Sequence, residues 1–281
     1  MAHLPTNREL ARTAETAAAR EGMTIRRHRR WIAVNALIEV LHIGTRRGLI
    51  PGFIVKGGFA LEFRFRTEAR ASRDVDVVVP LKAEDILDAF IQVLRIDWSG
   101  FTFAIKDIPE RHEHSYRMEV IAQYQGREWS TFELELVFAE IIGHDLVEPL
   151  DLSAYGLLMP MDIPCMTIVE QVAQKVHAVS DPAENRPRGL IDIYLCIQRI
   201  PPDLVELRAA CIRIFAERGK HQWPPEIAMR DGWPEILAAL IVRSKLDLTI
   251  DDVLHGVQSL VADLAANPDA DDALLSNSLD V

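Results

Sequence analysis

The distribution of apolar residues along the first part of the chain predicts helices followed by strands. Residues 9–21 are rich in Ala, and residues 29–47 carry the wide apolar stripe of a packed helix. Uninterrupted apolar runs at Phe53–Val55 and Val77–Val79 are typical of buried strands. Because the helix-like segment Phe59–Phe65 separates these runs, we expect a strand, a short helix and a second strand in sequence.

The next stretch predicts one more helix, a strand and a hairpin. Residues 83–96 place apolar side chains on one helical face, and residues 101–108 have the composition of a strand. Residues 115–123 and 130–137 alternate or run apolar on either side of Gln125-Gly126, which is the pattern of a β-hairpin.

The pattern changes after the hairpin. Strand signals end near Val137, a loop rich in Pro and Gly covers residues 148–164, and helical periodicity continues from Met166 to Leu264. We therefore expect an α/β (α+β) fold, with N-terminal helices and a mixed sheet in residues 1–150 and a C-terminal helical domain in residues 151–281.

Composition and charge narrow the class of protein. With 281 residues, 49% of them hydrophobic, the chain is long enough to bury a substantial core. The formal net charge of -11 argues against a protein that coats nucleic acid, since such binding relies on a basic surface. No apolar run reaches the length of a membrane span, and the N-terminus lacks the core of a signal peptide, so we expect a cytoplasmic protein without a membrane partner.

The cysteines give no sign of a metal or redox site. Cys165, Cys196 and Cys211 lie far apart among apolar residues and form no Cys-x-x-Cys pair. We interpret them as reduced, buried, small apolar residues.

Basic residues are concentrated locally despite the acidic total. The segment 26–30 contains four arginines and His28 at the start of the second predicted helix, where cations gain nothing from the helix dipole. The sequence leaves open whether this cluster is a solvated helix end or contacts phosphate. Four further arginines flank the motif described next: Arg64, Arg66, Arg70 and Arg73.

The most informative motif combines a glycine pair with two carboxylates. Lys56, Gly57 and Gly58 follow the first apolar run, and Asp74 and Asp76 open the second. Residues two apart in a strand project from the same face, so the carboxylates lie side by side and suit a hard cation such as Mg²⁺. Each signal alone is also common in plain turns and solvated strand ends. Their order, however, is similar to the first motif of the nucleotidyltransferase fold.

A third carboxylate is available on the hairpin. Glu133 and Glu135 share one face of its second strand, and either one beside the aspartate pair would complete a three-carboxylate metal site. The alternative is a half-solvated strand, which suits Glu133 better than Glu135.

Two polar residues stand out in the predicted C-terminal helices. Lys175 lies in the helix predicted for residues 166–180, and Asp192 lies in the first turn of the helix predicted for residues 190–200. A carboxylate in a first turn is favoured by the helix dipole, so Asp192 as a capping residue and Lys175 as a solvated residue remain open alternatives.

The ordered set of motifs resembles the AbiEii/AbiGii group of nucleotidyltransferase toxins, and most of all its MenT-like members. The similarity rests on VKGGFALEF, SRDVDVVV and PCMTIVEQVAQKVHAVSDPAENRPRGLIDIYL, with ACIRIFAERGKHQWPPEIA and DGWPEI downstream. By resemblance, Asp74 and Asp76 match the metal-binding pair and Ser72 the hydroxyl residue before it. Lys175 matches the lysine of a Gln-Lys-x-His helix.

The match in the following helix is incomplete. Asp192 corresponds to the second aspartate of the pattern Arg-x-x-Asp-Leu-x-Asp-Leu, whereas Gly189 replaces the first aspartate. This replacement puts a role for the first carboxylate in doubt. Asp192 is then the only aspartate of the pattern that is present in this chain.

The resemblance implies transfer of a nucleoside monophosphate from an NTP to a hydroxyl, with Mg²⁺ as cofactor. Asp74, Lys175 and Asp192 are then the catalytic candidates, and Asp74, Asp76 and Glu135 the metal ligands. The candidates for nucleotide binding are Lys56, Gly57, Gly58, Ser72 and Lys175. The implied acceptor is the 3′ end of tRNA, whose extension blocks translation and growth, and the implied partner is an antitoxin protein encoded nearby.

Three alternatives remain open. The same residues would serve an enzyme that modifies a small molecule or a protein hydroxyl, which the absence of an overall basic charge favours. A nucleotide-binding regulator without turnover is suggested only by Gly189, and a plain interaction module only if all carboxylates are solvated.

Overall fold

The protein forms two compact units. The computed structural model describes residues 4–266. The first unit contains the chain up to Thr67 together with Ala71–Met166, and the second contains Glu68–Arg70 and the described chain from Thr167 onward. The predicted domains 1–150 and 151–281 stay a prediction, because compactness does not show that either folds independently, and residues 267–281 lie outside the described residues.

The first unit is built on one mixed sheet, which confirms the predicted α/β class. Its described strands are β1 (Ile54–Lys56), β2 (Asp74–Val79), β3 (Phe101–Ile105), β4 (Glu110–Arg111), β5 (Ser115–Tyr124), β6 (Arg127–Phe138), β7 (His144–Val147) and β8 (Ile163–Met166). They are arranged in the order β3-β5-β6-β2-β1-β8-β7, and β4 pairs with β5. β2 is parallel to β6 and β1 is parallel to β8, whereas the other pairs are antiparallel. β2 is therefore an interior strand.

The side chains of β2 alternate between two environments. Val75, Val77 and Val79 are buried in the main core of the unit, while Val78 packs in a small separate cluster on the opposite face. Asp74 and Asp76 therefore lie on the face opposite the main core. The alternation in the sequence places both carboxylates beside each other at the start of the strand.

The described helices of the first unit are α1 (Asn7–Arg20), α2 (Ile25–Arg46), α3 (Gly57–Phe65) and α4 (Ile86–Leu94). Two of them, α1 and α2, begin at side-chain caps. α1 starts with a reciprocal capping box between Thr6 and Glu9. α2 starts at Ile25 rather than Arg29, because the Thr24 side chain accepts a hydrogen bond from the Arg27 amide.

The earlier start of α2 changes the interpretation of the basic segment 26–30. Arg27 and His28 are buried, so neither predicted alternative, a solvated helix end or a phosphate contact, holds for these two residues. His28 Nε2 lies 2.6 Å from the Tyr155 hydroxyl, and burial lowers the pKa of His28 to about 4, with a smaller contribution from the charge of Arg20.

The predicted hairpin is confirmed as β5 and β6. Its two-residue turn consists of Gln125 and Gly126, both with positive φ angles, 47° and 73°. Two positive φ values match the right-handed twist of the flanking strands, which makes this turn suitable for a tight hairpin.

The prediction that strands end near Val137 is wrong. β7 and β8 follow and pair with each other, and β8 adds to β1 through the register pair Val55–Cys165. Both strands are only four residues long. The sequence obscured them because β7 is mostly exposed and β8 contains Pro164, a residue usually depleted in strands.

The described part of the second unit is helical. Its helices are α5 (Ile168–Ser180), α6 (Arg188–Arg199), α7 (Leu204–Arg218), α8 (Trp233–Ser244) and α9 (Ile250–Ala266). Thr167 caps α5 and Asp203 caps α7 through side-chain oxygens. Cys165, Cys196 and Cys211 form no disulfide and are buried, as predicted. Within residues 4–266, no helix is both long and apolar enough to cross a membrane.

Candidate functional site

The carboxylates of the first unit face one another across two neighbouring strands. In the parallel pairing of β2 with β6, Asp74 lies opposite Glu133 and Asp76 lies opposite Glu135. Because all four residues share one face of the sheet, the predicted Asp-x-Asp pair meets both glutamates of the hairpin rather than one. The register assembles two rows of like charges.

The first row is electrostatically crowded. The Glu133 carboxyl is hydrogen-bonded to that of Asp74, and this bond, the Asp74 charge, partial burial and the charge of Glu119 together raise the pKa of Glu133. Glu119 of β5 lies opposite Glu133 in the antiparallel ladder. The raised pKa of Glu133 reflects this crowding of negative charge, which a bound cation would relieve.

In the second row, neighbouring side chains compensate the negative charge of Glu135. Burial by itself raises the pKa of Glu135, but hydrogen bonds and charges outweigh it and the pKa is lowered. Ser115 Oγ donates to Glu135 Oε1 at 2.7 Å, and Arg117 Nη2 lies 3.4 Å from Oε2. Glu135 is therefore ionised and held in place.

Gly57 allows the second aspartate to approach the backbone. Gly57 has φ +70°, and a Cβ atom added there would lie 1.8 Å from Asp76 Oδ2 and 2.9 Å from its Cγ. Both the left-handed backbone and the close contact exclude a side chain at this position. The first residue of the predicted glycine pair is thus required by the position of the Asp76 carboxylate.

The glycine pair also begins a helix. Gly57 and Gly58 are the first two residues of α3, and Lys56 precedes them in extended conformation, opposite Asp76 in the ladder. The N-terminus of a helix carries a partial positive charge, which favours an anion nearby.

A buried network that the sequence did not indicate supports the segment before β2. Glu62 is 1% exposed and accepts hydrogen bonds from Arg27 Nε at 2.8 Å, from Trp31 Nε1 at 2.6 Å and from the Ser72 amide. In the sequence, Glu62 and Arg27 resemble surface charges. Their burial depends on each other and on further partners that lie far away along the chain.

Ser72 is part of the same support. It is buried, its hydroxyl donates to the Asp74 carbonyl at 3.2 Å, and its own carbonyl accepts from Arg30 Nη1 at 2.6 Å. These bonds fix the chain two residues before Asp74. Nucleotide binding by Ser72 stays a prediction.

An open cavity adjoins the carboxylates. It has a volume of about 380 Å³. Its lining is mostly charged and comprises Asp74, Asp107, Ile108, Glu110, Arg117, Met118, Glu119, Glu133, Leu134 and Glu135. Because most of the lining side chains are carboxylates, the cavity attracts cations, and with them the anions that they bind.

In the second unit, Lys175 and Asp192 are in direct contact. Lys175 Nζ donates to Asp192 Oδ2 at 2.7 Å. Arg70 donates to both oxygens of the same carboxylate, from Nε at 2.8 Å and from Nη2 at 2.7 Å. Because α6 begins at Arg188, Asp192 does not lie in the first turn as predicted, and it does not cap the helix. The side chains of Lys175 and Asp192 are 16% and 3% exposed, so Lys175 is not a solvated residue either. We refer to Arg70, Asp192 and Lys175 as the ion triad.

The charges of the ion triad determine its protonation state. Burial by itself would raise the pKa of Asp192, but the charges and hydrogen bonds of Arg70 and Lys175 outweigh it and the pKa is lowered. Asp192 is therefore an ionised carboxylate whose two oxygens are both occupied by cations.

Packing between α5 and α6 accounts for the glycine at position 189, where the family pattern has an aspartate. A Cβ atom at Gly189 would lie 2.4 Å from Val179 Cγ1. An aspartate fits here only if Val179 moves, so the close approach of α6 to α5 explains the small residue.

The sequence-predicted residues thus fall into two groups. Lys56, Gly57, Gly58, Ser72, Asp74, Asp76 and Glu135 are in the first unit, and Lys175 and Asp192 are in the second. Sequence reasoning missed the pairing of Arg70, one of four nearby arginines. It also ranked Glu133 below Glu135, although the Asp-x-Asp spacing repeats as Glu-x-Glu on β6.

A mixed sheet whose interior strand opens with Asp-x-Asp, preceded by a helix that starts at a glycine pair, defines a protein of the nucleotidyltransferase fold. The sequence model of a protein family, the nucleotidyl transferase AbiEii toxins of type IV toxin–antitoxin systems, matches residues 45–274. The chain belongs to this family, as the resemblance predicted.

Two solved structures are similar to the chain at low sequence identity. The nucleotidyltransferase toxin MenT4 from Mycobacterium tuberculosis is similar with a TM-score of 0.64 and 18% identity, covering 95% of this chain and 92% of that chain. The protein JHP933 from Helicobacter pylori has a TM-score of 0.47 and 16% identity, covering 88% of this chain and 98% of that chain. No curated protein matches the sequence.

Proposed function

We propose that this protein transfers a nucleoside monophosphate from an NTP to the 3′-terminal hydroxyl of tRNA, using Mg²⁺ held by Asp74 and Asp76. Membership of a nucleotidyltransferase toxin family gives the reaction class. The observation that carries the cation site is the register of β2 and β6, which places Asp74 opposite Glu133 and Asp76 opposite Glu135, together with the hydrogen bond between the Glu133 and Asp74 carboxyls. Such crowding of carboxylates is relieved by a dication, and oxygen ligands of this kind suit Mg²⁺.

The residues around Asp74 and Asp76 fit a magnesium ion. Glu133 joins Glu135 as a candidate for the additional carboxylate, and Glu133 is the one already bonded to Asp74. When bound, Mg²⁺ supplies charge neutralisation for the triphosphate and for the attacking oxygen. Glu135, which Ser115 and Arg117 hold in place, lies beside Asp76 and offers the ion a further carboxylate.

The start of α3 is proposed to receive a phosphate group. Gly57 and Gly58 lack side chains, so a phosphate can come close to the backbone there, and the helix N-terminus favours a negative charge. Lys56, directly before them, adds a cation. These three residues position the triphosphate, and correct positioning is a large part of phosphoryl transfer catalysis.

The ion triad is proposed to supply the lysine that balances triphosphate charge. Asp192 is a poor general base, because its pKa is lowered and both oxygens accept hydrogen bonds from cations. We therefore assign Asp192 the task of orienting Lys175, and Arg70 the task of fixing Asp192 through two bonds.

The biological consequence follows from the family's toxin character. A tRNA whose 3′ end is extended cannot be aminoacylated, so translation and growth stop. We propose a cytoplasmic site of action and an antitoxin protein that neutralises the activity.

The acceptor is tested with purified protein, Mg²⁺, each α-³²P-labelled NTP in turn and total tRNA. We expect label on tRNA from at least one NTP, and no label on tRNA whose terminal ribose has been oxidised with periodate, because oxidation removes the accepting hydroxyl. Equal labelling of intact and oxidised tRNA would contradict the 3′ terminus. Label only on a small molecule or on protein would move the substrate to one of the alternative classes.

A further inference from the structure

A second cluster of side chains suited to a metal lies entirely within the second unit. One nitrogen of His177, one nitrogen of His221 and one carboxylate oxygen of Asp181 lie within 4.8 Å of one another. His177 and Asp181 are four residues apart at the end of α5, and His221 follows α7. We infer that His177, Asp181 and His221 form a binding site for a borderline divalent cation such as Zn²⁺ or Co²⁺, separate from the Asp-x-Asp site.

Two ring nitrogens in this cluster lack hydrogen bonds, and the carboxylate is held by an ion pair. Among the described residues, none forms a hydrogen bond with His177 Nε2 or His221 Nδ1, and Asp181 Oδ2 is paired with Lys220 Nζ at 3.4 Å. His177 is 1% exposed and Asp181 is 2% exposed. Because an unsatisfied buried polar group typically costs about 1–3 kcal/mol, the two ring nitrogens favour a ligand. A cation bound here takes an electron pair from His221 Nδ1 and one from Asp181 Oδ2 in place of Lys220. It takes a third from His177 Nε2 once the hydrogen of that ring lies on Nδ1, which displaces the Arg218 contact.

The hydrogen bonds around His221 leave one of its nitrogens available as a ligand. Ser180 Oγ lies 2.8 Å from His221 Nε2 and donates its own hydrogen to the Val176 carbonyl at 2.8 Å. Ser180 therefore accepts from Nε2–H, so the neutral ring has a free electron pair on Nδ1. An outer hydrogen bond that fixes the tautomer is a regular feature of metal-bound histidines.

The protonation states also suit a metal. Burial lowers the pKa of His177 to about 4, aided by the charge of Arg218, and burial lowers the pKa of His221. Neutral imidazoles are the form that binds metals. Two imidazoles and one carboxylate favour Zn²⁺ or Co²⁺ over Mg²⁺, which prefers oxygen ligands alone.

Positive side chains near the cluster limit its affinity. Lys220 Nζ is 3.4 Å from Asp181 Oδ2, Arg218 Nη1 is 3.3 Å from His177 Nδ1, and the charge of Arg230 reaches His221. Lys220 has a half-exposed side chain and withdraws into solvent when a cation takes the carboxylate. The metal therefore competes with Lys220, which makes removal of that lysine a gain-of-binding test.

The test is a titration of tag-free protein with CoCl₂ in excess Mg²⁺, followed by calorimetry and by the visible absorption of bound Co²⁺. The protein carries Asp76→Asn, so that Co²⁺ at the Asp-x-Asp site does not contribute. We expect one bound Co²⁺, a weakening of about 10- to 100-fold with Ser180→Ala, and loss of the absorption with His221→Ala. Lys220→Met should tighten binding, and His255→Ala, an exposed histidine of the same unit, should leave it unchanged.

Each outcome decides the proposal. Absence of Co²⁺ binding, or binding that is unchanged in both His221→Ala and Ser180→Ala, would overturn it and assign the cluster to ordinary polar packing or bound water. Weaker binding in Lys220→Met would also overturn it. If His221→Ala does not fold, Ser180→Ala and Lys220→Met still predict opposite shifts, which a nonspecific site does not produce.

Discussion

Replacement of Asp192 by Asn tests the ion triad most sharply. The change keeps the shape of the side chain and removes one negative charge. In the protein, that charge accepts three hydrogen bonds of 2.7–2.8 Å from Arg70 and Lys175. Asn retains one acceptor oxygen but turns an amide N–H towards a cation, so at least one of the three bonds becomes repulsive.

The size of the effect follows from burial. The side chains of Asp192, Arg70 and Lys175 are 3%, 12% and 16% exposed, so solvent does little to replace the lost charge. Breaking a buried ion pair from one side typically costs about 3–5 kcal/mol, since the remaining charge stays buried without its partner. We expect a loss of this order in the free energy of unfolding of the protein.

The assay is urea unfolding followed by circular dichroism, with Asp203→Asn as the matched control. Asp203 caps α7 by accepting from two backbone amides, and Asn is an equally good cap, so this control should change stability by only a few tenths of a kcal/mol. The comparison separates a role in the ion triad from a capping role.

A double-mutant cycle with Lys175→Met measures the interaction energy between Asp192 and Lys175. If Asp192 and Lys175 act together, the double variant should be more stable than the sum of the single losses predicts, with a coupling of about 0.5–3 kcal/mol. Losses that add to within about 0.5 kcal/mol, or an Asp192→Asn protein as stable as the wild type, would refute the reasoning.

Three further predictions concern Gly57, Glu133 and Asp192. Gly57→Ala should abolish transfer, because its Cβ collides with Asp76 Oδ2, whereas Gly52→Ala, with open space around it, should retain activity in the same assay. Glu133→Gln should raise the Mg²⁺ concentration needed for half-maximal transfer by about tenfold, the lower end for residues that support a metal site; an unchanged Mg²⁺ titration would remove it as a ligand. Because the folded-state pKa of Asp192 is lowered, its stabilisation is full above the ordinary carboxyl pKa of about 4 and is lost as pH falls through the lower value. Unfolding midpoints of wild type and Asp192→Asn should therefore converge in acid and stay apart at neutral pH.

The local patterns of the sequence were sufficient for most of the sheet and for the glycine and aspartate motif. Alternation fixed the face of Asp74 and Asp76, and the Gln125-Gly126 turn fixed the hairpin, because both depend on neighbouring residues only. β7 and β8 were missed since each is four residues long and gains its identity from pairing with a distant strand.

The long-range charge pairs were the other feature beyond reach of the sequence. Glu62 is separated from Arg27 by 35 positions and Arg70 from Asp192 by 122. In the sequence, each resembles an ordinary surface charge, and only the fold determines which charges become buried together. For the same reason, the contact between Glu133 and Asp74 depends on the parallel register of β2 and β6.

The central claim is that the carboxylates at the start of β2 carry nucleotidyl transfer. Its most direct test is the rate of label transfer from an α-³²P-labelled NTP by Asp74→Asn, compared with Asp107→Asn, an exposed aspartate that lines the same cavity. We predict that Asp74→Asn lowers the rate by about 100-fold or more while its circular dichroism stays that of the wild type, and that Asp107→Asn remains active. Full transfer activity in a folded Asp74→Asn protein would contradict the account.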